Sequence, residues 1–227
     1  YFDIRVNQLI AAYGAGFIFT QCANTGDPFF CSLTHRDANG FLFSDSTNLI
    51  DTTKNTGFLQ TKGVDVEVNY RTNFSDMGMG DLGGLAFNFV GTYMSSFVAE
   101  PVPPGLAGGG QTYDCAGLYG LTCGTPVPKW RHKFRVTWNS PWNVSLSVNW
   151  RYMSGTRFDA LESNPLLQVN GANFQDTTSD AKIKAYNYFD LAGTWTVRDG
   201  TTLRVGVNNV FDKDPPLVDT HTLGISS

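Results

Sequence analysis

Four cysteines carry the most definite chemistry in the 227-residue chain. Cys22 and Cys31 form one close pair and Cys115 and Cys123 another. Neither pair has the Cys-x-x-Cys spacing that zinc or dithiol redox chemistry uses. Both pairs lie in irregular, Gly- or Pro-rich sequence. The even count and local pairing predict two loop disulfides, formed in an oxidising, exported compartment. Free thiols in a reducing compartment are the alternative.

Charge supplies the second set. Arg131, Lys133 and Arg135 recur at every second residue, and Arg151 follows on the next segment; Asp65, Glu67 and Arg71 repeat the pattern earlier. That spacing puts each set on one face of a strand. Charges inside a narrow, side-chain-filled barrel would be costly, so these seven residues predict a wide lumen that holds water or a plug.

The remaining motifs carry little. His35, His132 and His221 are scattered without metal-ligand spacing. Asp212 and Asp214 could touch a cation, but they sit where a solvated strand end is expected. Gly78 to Gly83 fits the dinucleotide pattern G-x-G-x-x-G, yet a strand follows it where that pattern requires a helix. Asn73-Phe74-Ser75 and Asn143-Val144-Ser145 match the glycosylation triplet, one at a turn and one within a strand. No Ser/His/Asp set or carboxylate pair stands out. No catalytic, cofactor-binding or metal residue is therefore assigned, no cofactor is expected, and the chain is not read as an enzyme. A net charge of −4 without a basic tract argues against nucleic acid as a partner.

The elements that position these residues are strands. Only 16% of residues are charged and 14% are aromatic, and no apolar run is long enough for a membrane helix. Transmembrane strands alternate polar and apolar residues, so mean hydropathy hides them. Period-two alternation marks seven strands: 1–10, 61–72, 84–97, 130–139, 142–152, 185–197 and one opening at Thr201. In the last, Leu203, Val205 and Val207 oppose Arg204, Gly206 and Asn208, Phe211 serves as an aromatic anchor, and Asp212-Lys213-Asp214-Pro215-Pro216 stops the run. Arg198-Asp199-Gly200 and Ser140-Pro141 read as tight turns, and Ser75 to Asp81 as a polar one. The segment 11–57 reads as a long irregular loop with a small hairpin, Leu33–Arg36 against Phe41–Phe43 across Asn39-Gly40. Two more long loops span 99–128 and 154–182. Long and short connections thus alternate, which is the plan of an outer-membrane barrel with short periplasmic turns and long extracellular loops; a β-sandwich has no reason to sort its loops this way.

The tryptophans act as a ruler. Trp130 and Trp138 lie eight residues apart on one face, as do Trp142 and Trp150. Eight residues of strand span roughly 26 Å, or about 20 Å of height once tilted, close to the apolar band between two aromatic girdles. With Trp195 they are assigned to a lipid-facing girdle; filling a soluble core is the alternative. His132 is the one polar residue on that face.

At Val205-Gly206-Val207-Asn208-Asn209-Val210-Phe211-Asp212-Lys213 the sequence resembles the penultimate strand of TonB-dependent outer-membrane receptors. Lys62-Gly63-Val64-Asp65-Val66-Glu67-Val68 is similar to the strand after a long loop in that family, and Tyr188-Phe189-Asp190-Leu191 adds support. The resemblance implies an all-β fold: an antiparallel transmembrane β-barrel segment, about seven strands of a 22-stranded barrel plugged by a separate N-terminal domain. Residues 1–227 would be a partial barrel domain without its plug, its TonB motif or its last strand. It further implies a place in the Gram-negative outer membrane, surrounded by lipid, and TonB-energised uptake of a scarce small-molecule ligand at the extracellular loops. That ligand would be an iron-siderophore first, or cobalamin or a carbohydrate. The loops Tyr13–Phe30, Tyr113–Cys123 and Phe158–Phe174 are expected to touch it, being long and aromatic-bearing. A porin or barrel enzyme, and a secreted β-sandwich binding module, are the rival readings.

Overall fold

The computed structural model describes residues 1–42, 48–168 and 181–218. His221 and the distal parts of two expected features, Phe43 of the loop hairpin and residues 169–174 of the third loop, lie outside them. The chain divides into two compact units. The first comprises Tyr1–Phe2, Gly63–Ser95 and Ala116–Ser227, the second Asp3–Lys62 and Ser96–Cys115.

Seven long strands form one sheet in chain order: β1 (Phe2–Asn7), β2 (Phe58–Asn73), β3 (Gly84–Glu100), β4 (Trp130–Asn139), β5 (Val144–Met153), β6 (Tyr186–Arg198) and β7 (Thr201–Val207). The pairings from β3 to β7 are antiparallel. Among the described residues the sheet ends at β1 and β7 and does not close, as expected of a segment of barrel wall. No helix in the described residues is long and apolar enough to cross a membrane.

The short connections follow from local chemistry. Between β2 and β3, Asn73 and Asp76 form a capping box over the 3₁₀ turn Phe74–Met77, and Gly78 ends it in the left-handed region at φ 73°. The glycine-rich run is thus a turn. Between β6 and β7, Gly200 takes φ 79° and a register shift between Thr196 and Arg198 absorbs the tight reversal. The β4–β5 turn is longer than Ser140-Pro141 alone. Pro141 offers no donor, Asn143 takes φ 59°, and the Ser140 hydroxyl oxygen accepts the N–H groups of Trp142 and Val144 at 3.3 and 3.2 Å. Trp142 and Asn143 therefore belong to the turn, and β5 starts at Val144.

β7 also ends earlier than its alternation suggests, at Val207. Asn209 takes φ 53° and Asp212 φ 46°. The Asn209 side chain accepts the Lys213 N–H and donates to the Lys213 carbonyl, each at 3.1 Å. This clasp folds Val210 and Phe211 into a turn, where Phe211 still packs its ring edge-on to Phe189 at 5.6 Å.

The largest departure is in the second unit. The stretch between β1 and β2 is not irregular. It holds α1 (Ala15–Thr25) and α2 (Pro28–Ser32). Gly26 caps α1 in the left-handed region at φ 66°. Asp27 then caps α2 by accepting the Phe29 N–H at 2.9 Å, with Pro28 at the first helical position. Ile18, Phe30, Leu33 and Val102 form a buried cluster, with Tyr13, Phe17, Phe29 and Leu106 packed on it. Asn39-Gly40 is indeed a turn tip, since the Asp37 carboxylate accepts the N–H groups of Asn39 and Phe41 at 2.9 and 2.8 Å. The ladder partner of Thr34–His35, however, is Asn48–Leu49 instead of Phe41–Phe43. At the base, Ile10–Ala11 pairs with Lys54–Asn55, and Leu9 and Thr56 share a backbone bond of 2.8 Å.

In the first unit a smaller sheet joins the two other long connections. Thr156–Phe158 pairs in parallel with Leu118–Tyr119 and antiparallel with Lys182–Ile183. Tyr119, Phe158 and Ile183 form its buried centre.

Candidate functional site

The register of β3 to β7 sorts the first unit's sheet into two chemically distinct faces. On the apolar face the rows run Phe89–Phe134–Trp150–Phe189, then Phe87–Val136–Val148–Leu191–Val207, then Leu85–Trp138–Leu146–Gly193–Val205. These side chains are not inside a core. Val148 is 43% exposed, Leu146 48%, Trp195 49% and Val205 72%. Aromatic residues gather at both ends of the face. Near the start of β4, Trp130, His132, Phe134, Phe89, Trp150 and Tyr152 stack on one another. At the other end Trp138 meets Trp142 edge-on at 6.3 Å, and Trp195 pairs with Val144 and Leu203. Trp142 keeps its place beside Trp138, but from the turn. The eight-residue spacing to Trp150 is therefore not a length of strand.

His132 fits this face once its bonds are traced. Its Nδ1 accepts the Trp130 indole N–H at 2.9 Å. In the neutral ring the proton then lies on Nε2, which is buried and without a hydrogen-bond partner. The Trp150 ring stands T-shaped to the imidazole at 4.5 Å. Its π system is the acceptor at hand for that N–H. A neutral His in an aromatic stack thus counts as part of the apolar face.

The opposite face is polar and contains all seven charged candidates. Asp65 accepts the Thr92 hydroxyl at 2.8 Å, Glu67 accepts the Asn69 amide at 2.9 Å, and Asn69 accepts from Asn88. Arg151 meets Asp190 as a bidentate pair at 2.9 and 2.8 Å. Asp190 also accepts the Asn149 amide at 2.9 Å and the Asn209 backbone N–H at 3.0 Å. One carboxylate therefore ties β5, β6 and the turn after β7. Arg131, Lys133 and Arg135 are exposed and, among the described residues, form no ion pair or side-chain hydrogen bond. Asp190 stands in the Tyr188–Leu191 motif and Asn209 in the Val205–Lys213 one, but nothing in the sequence joined them, because the partners of Asp190 lie 19 to 41 positions away.

The loops are built differently. Cys22 and Cys31 are joined by a disulfide with Cα atoms 4.7 Å apart, and Cys115 and Cys123 are also disulfide-bonded. Most of the loop aromatics counted as ligand-facing are spent on loop cores. Phe30, Tyr119 and Phe158 are fully buried. Tyr13, Phe17 and Phe29 pack edge-on or stacked around Phe30 and one another at 5.1–6.3 Å, and burial raises the Tyr13 phenol above its ordinary pKa. Asp159, also buried, accepts the N–H groups of Thr122 and Cys123 at 2.9 and 2.8 Å and so fastens one loop to another. Sequence spacing alone carried no sign of it. Among the described residues no three His, Cys, Asp or Glu converge as a metal site.

A two-faced antiparallel wall with an exposed apolar face, aromatic rows at both ends and elaborated loops between alternate strands is the geometry of a membrane barrel. Comparison with curated proteins and with solved structures returned no match. The family model for the TonB-dependent receptor-like β-barrel matches residues 1–210. The chain belongs to the TonB-dependent receptor β-barrel family.

Proposed function

We propose that the chain is wall and recognition surface of an outer-membrane receptor that imports a scarce small molecule with energy from TonB, an iron-siderophore before cobalamin or a carbohydrate. Family membership supports the coarser part: receptor and transporter, in the outer membrane, with no catalytic role implied. The observation that supports the reading of the chain as barrel wall is the sorting of the sheet. Its exposed apolar side, including Trp130, Trp138, Trp142, Trp150 and Trp195, suits lipid. Its polar side, with Asp65, Glu67, Arg71, Arg131, Lys133, Arg135 and Arg151, suits a wide aqueous lumen or a plug domain. The long connections then face outward, where a ligand arrives. Their disulfides and private cores hold them in shape, so recognition uses what the cores leave exposed, such as Phe41 at 65% exposure.

The test is uptake of radiolabelled ferric siderophores by cells carrying the full-length receptor, with the loops Tyr13–Phe30, Tyr113–Cys123 and Phe158–Phe174 deleted one at a time. Loss of uptake for at least one deletion, with the barrel still inserted, supports the reading. Unchanged uptake for all three sinks it.

A further inference from the structure

We propose that the apolar face of β6 holds one glycerophospholipid in a fixed place, with an acyl chain in a notch at Gly193, its ester groups level with Trp195 and its phosphate on Arg198. The inference rests on the reading of that face as lipid-facing, and adds to it a site for a single lipid.

A groove of about 510 Å³ crosses the apolar face from β4 to β7, lined by Val136, Trp138, Leu146, Leu191, Gly193 and Val205 among others. Gly193 is the gap in its row, between Leu146 and Val205. A Cβ there would meet a Leu146 methyl carbon at 3.2 Å and the Ser145 carbonyl at 3.9 Å, and its backbone is not left-handed. Neither backbone conformation nor close backbone approach therefore requires the glycine. Gly91, on the same face of β3, is different: the Trp130 ring lies 2.9 Å from where its Cβ would be and fills the space. The chain thus closes one glycine gap and leaves the other open. Lipid tails are as apolar as the wall, so burial alone holds none of them in place. A groove does so by giving one chain dispersion contacts that a flat wall withholds.

Polar anchors follow along β6 in the order a phospholipid needs. Trp195 lies two residues from Gly193 toward the short β6–β7 turn and is half exposed. Its indole N–H has no acceptor among the described residues, whereas that of Trp138 already bonds the Leu82 carbonyl. An indole at this level suits an ester carbonyl. Beyond it, Thr196 pairs with Thr202 but Arg198 pairs with Thr201, which leaves Val197 unmatched. Regular alternation would send Arg198 to the polar face with Thr194 and Thr196. The shift turns it instead onto the face of Thr201, Leu203 and Val205. There its guanidinium donates to the Thr201 hydroxyl at 3.4 Å and, among the described residues, pairs with no acid. A guanidinium at the rim of an apolar face matches a phosphate. The five residues from Gly193 to Arg198 span about 16 Å of strand, or about 12 Å of depth once tilted. That sets the notch within one leaflet's share of a hydrocarbon core of about 30 Å. Short turns are periplasmic in a membrane barrel, so the lipid belongs to the periplasmic leaflet, a glycerophospholipid instead of a lipopolysaccharide.

The test places the full-length receptor in phosphatidylglycerol vesicles doped with the same lipid carrying a diazirine in mid-chain, and maps the photo-crosslinks by mass spectrometry. Crosslinks on Leu146, Leu191 and Val205 should exceed those on Leu85, which stands in the row of Gly193 outside the groove, by about fivefold. Gly193→Leu fills the notch and should abolish the preference. Arg198→Gln should lower it to about twofold, with Arg198→Lys keeping most of it. A diacylglycerol with the same diazirine but no phosphate should show the Arg198→Gln pattern on the wild type. Heat-modifiable gel mobility checks that each barrel is folded; should Gly193→Leu not fold, Gly193→Ala replaces it and should still lower the preference. Even crosslinking along the row in the wild type, or a preference that survives filling of the notch, overturns the site. So does one that is the same with and without the Arg198 charge. A receptor that does not insert into the vesicles, or that crosslinks through Asn88 and Ser147 of the opposite face, overturns the lipid-facing reading itself.

Discussion

The β3–β7 wall and the excursion between β1 and β2 hold their shape by opposite means. The wall spends its backbone bonds on neighbouring strands and leaves large apolar side chains in the open, with Val205 72% and Leu203 54% exposed. Its stability needs an apolar surrounding that the chain does not supply. The excursion does the reverse. It buries Ile18 and Phe30 to 1% and 0% exposure, caps two helices and closes a disulfide over nine residues. Outside itself it draws only on the start of the β3–β4 connection, where Val102 completes its core and the Ala107 N–H bonds Asp27. The wall therefore relies on its solvent, whereas the loop relies on a buried core and a disulfide.

The sharpest way to break that contrast is Phe30→Ala. Removing a fully buried ring costs about 3–5 kcal/mol. The loss should stay within the excursion: limited proteolysis should cut between Ala11 and Gly57 while the barrel's heat-modifiable mobility is unchanged. Coincident loss of both would mean that the two regions share one core.

Next in size is a paired substitution on adjacent wall residues. Val148→Arg places a charge on the apolar face and should destabilise the barrel in lipid vesicles by about 2–4 kcal/mol, with Ser147→Arg on the polar face nearly neutral. Urea titration of the inserted receptor measures both. Equal effects would mean that the faces are wrongly assigned.

A smaller effect is expected of Asp190→Asn. It weakens the pair with Arg151 and leaves that guanidinium without its counter-charge, for roughly 2 kcal/mol. Hydrogen exchange should speed up at the Asn209 and Val210 amides and stay slow along β4. Uniform acceleration across the sheet would deny Asp190 its local role.

The smallest is Asp27→Ala, at about 1 kcal/mol for a lost helix cap. Asp27 also accepts the Ala107 N–H at 2.8 Å. Added mobility at residues 105–109 in exchange experiments would separate that second bond from the cap, and its absence would reduce Asp27 to a cap alone.

How much was legible follows the same division. The wall was legible because a strand writes its burial into every second residue, and Val144 to Tyr152 alternates without a fault. Its partnerships were not, since Arg151 finds Asp190 only through register, across a sequence separation of 39. The ends of strands were lost to asparagine. Asn143 and Asn209 both turn left-handed, and a side chain that tolerates either conformation leaves no mark in the alternation. In the excursion the signal was present but ambiguous. Gly26-Asp27-Pro28 is a helix stop followed by a cap and a helix start, yet in a stretch rich in glycine and aromatics it also spells a loop. The loop aromatics misled for a related reason. A ring waiting for a ligand and a ring filling a small core have the same sequence signature.

The base of the excursion has a mechanical consequence. The ladder of Ile10–Ala11 with Lys54–Asn55, closed by the bond between Leu9 and Thr56, is a narrow stem of a few residues. Gln8 beside it already sits at φ 55°, a costly posture for a side chain with no turn-forming chemistry. Above the stem lies a stapled body with its own core. Such a body does not flex along its length. It is held at two places, the stem and residues 102–107, where Val102 enters its core and the Ala107 N–H bonds Asp27, so loosening the stem alone leaves unchanged what the body presents.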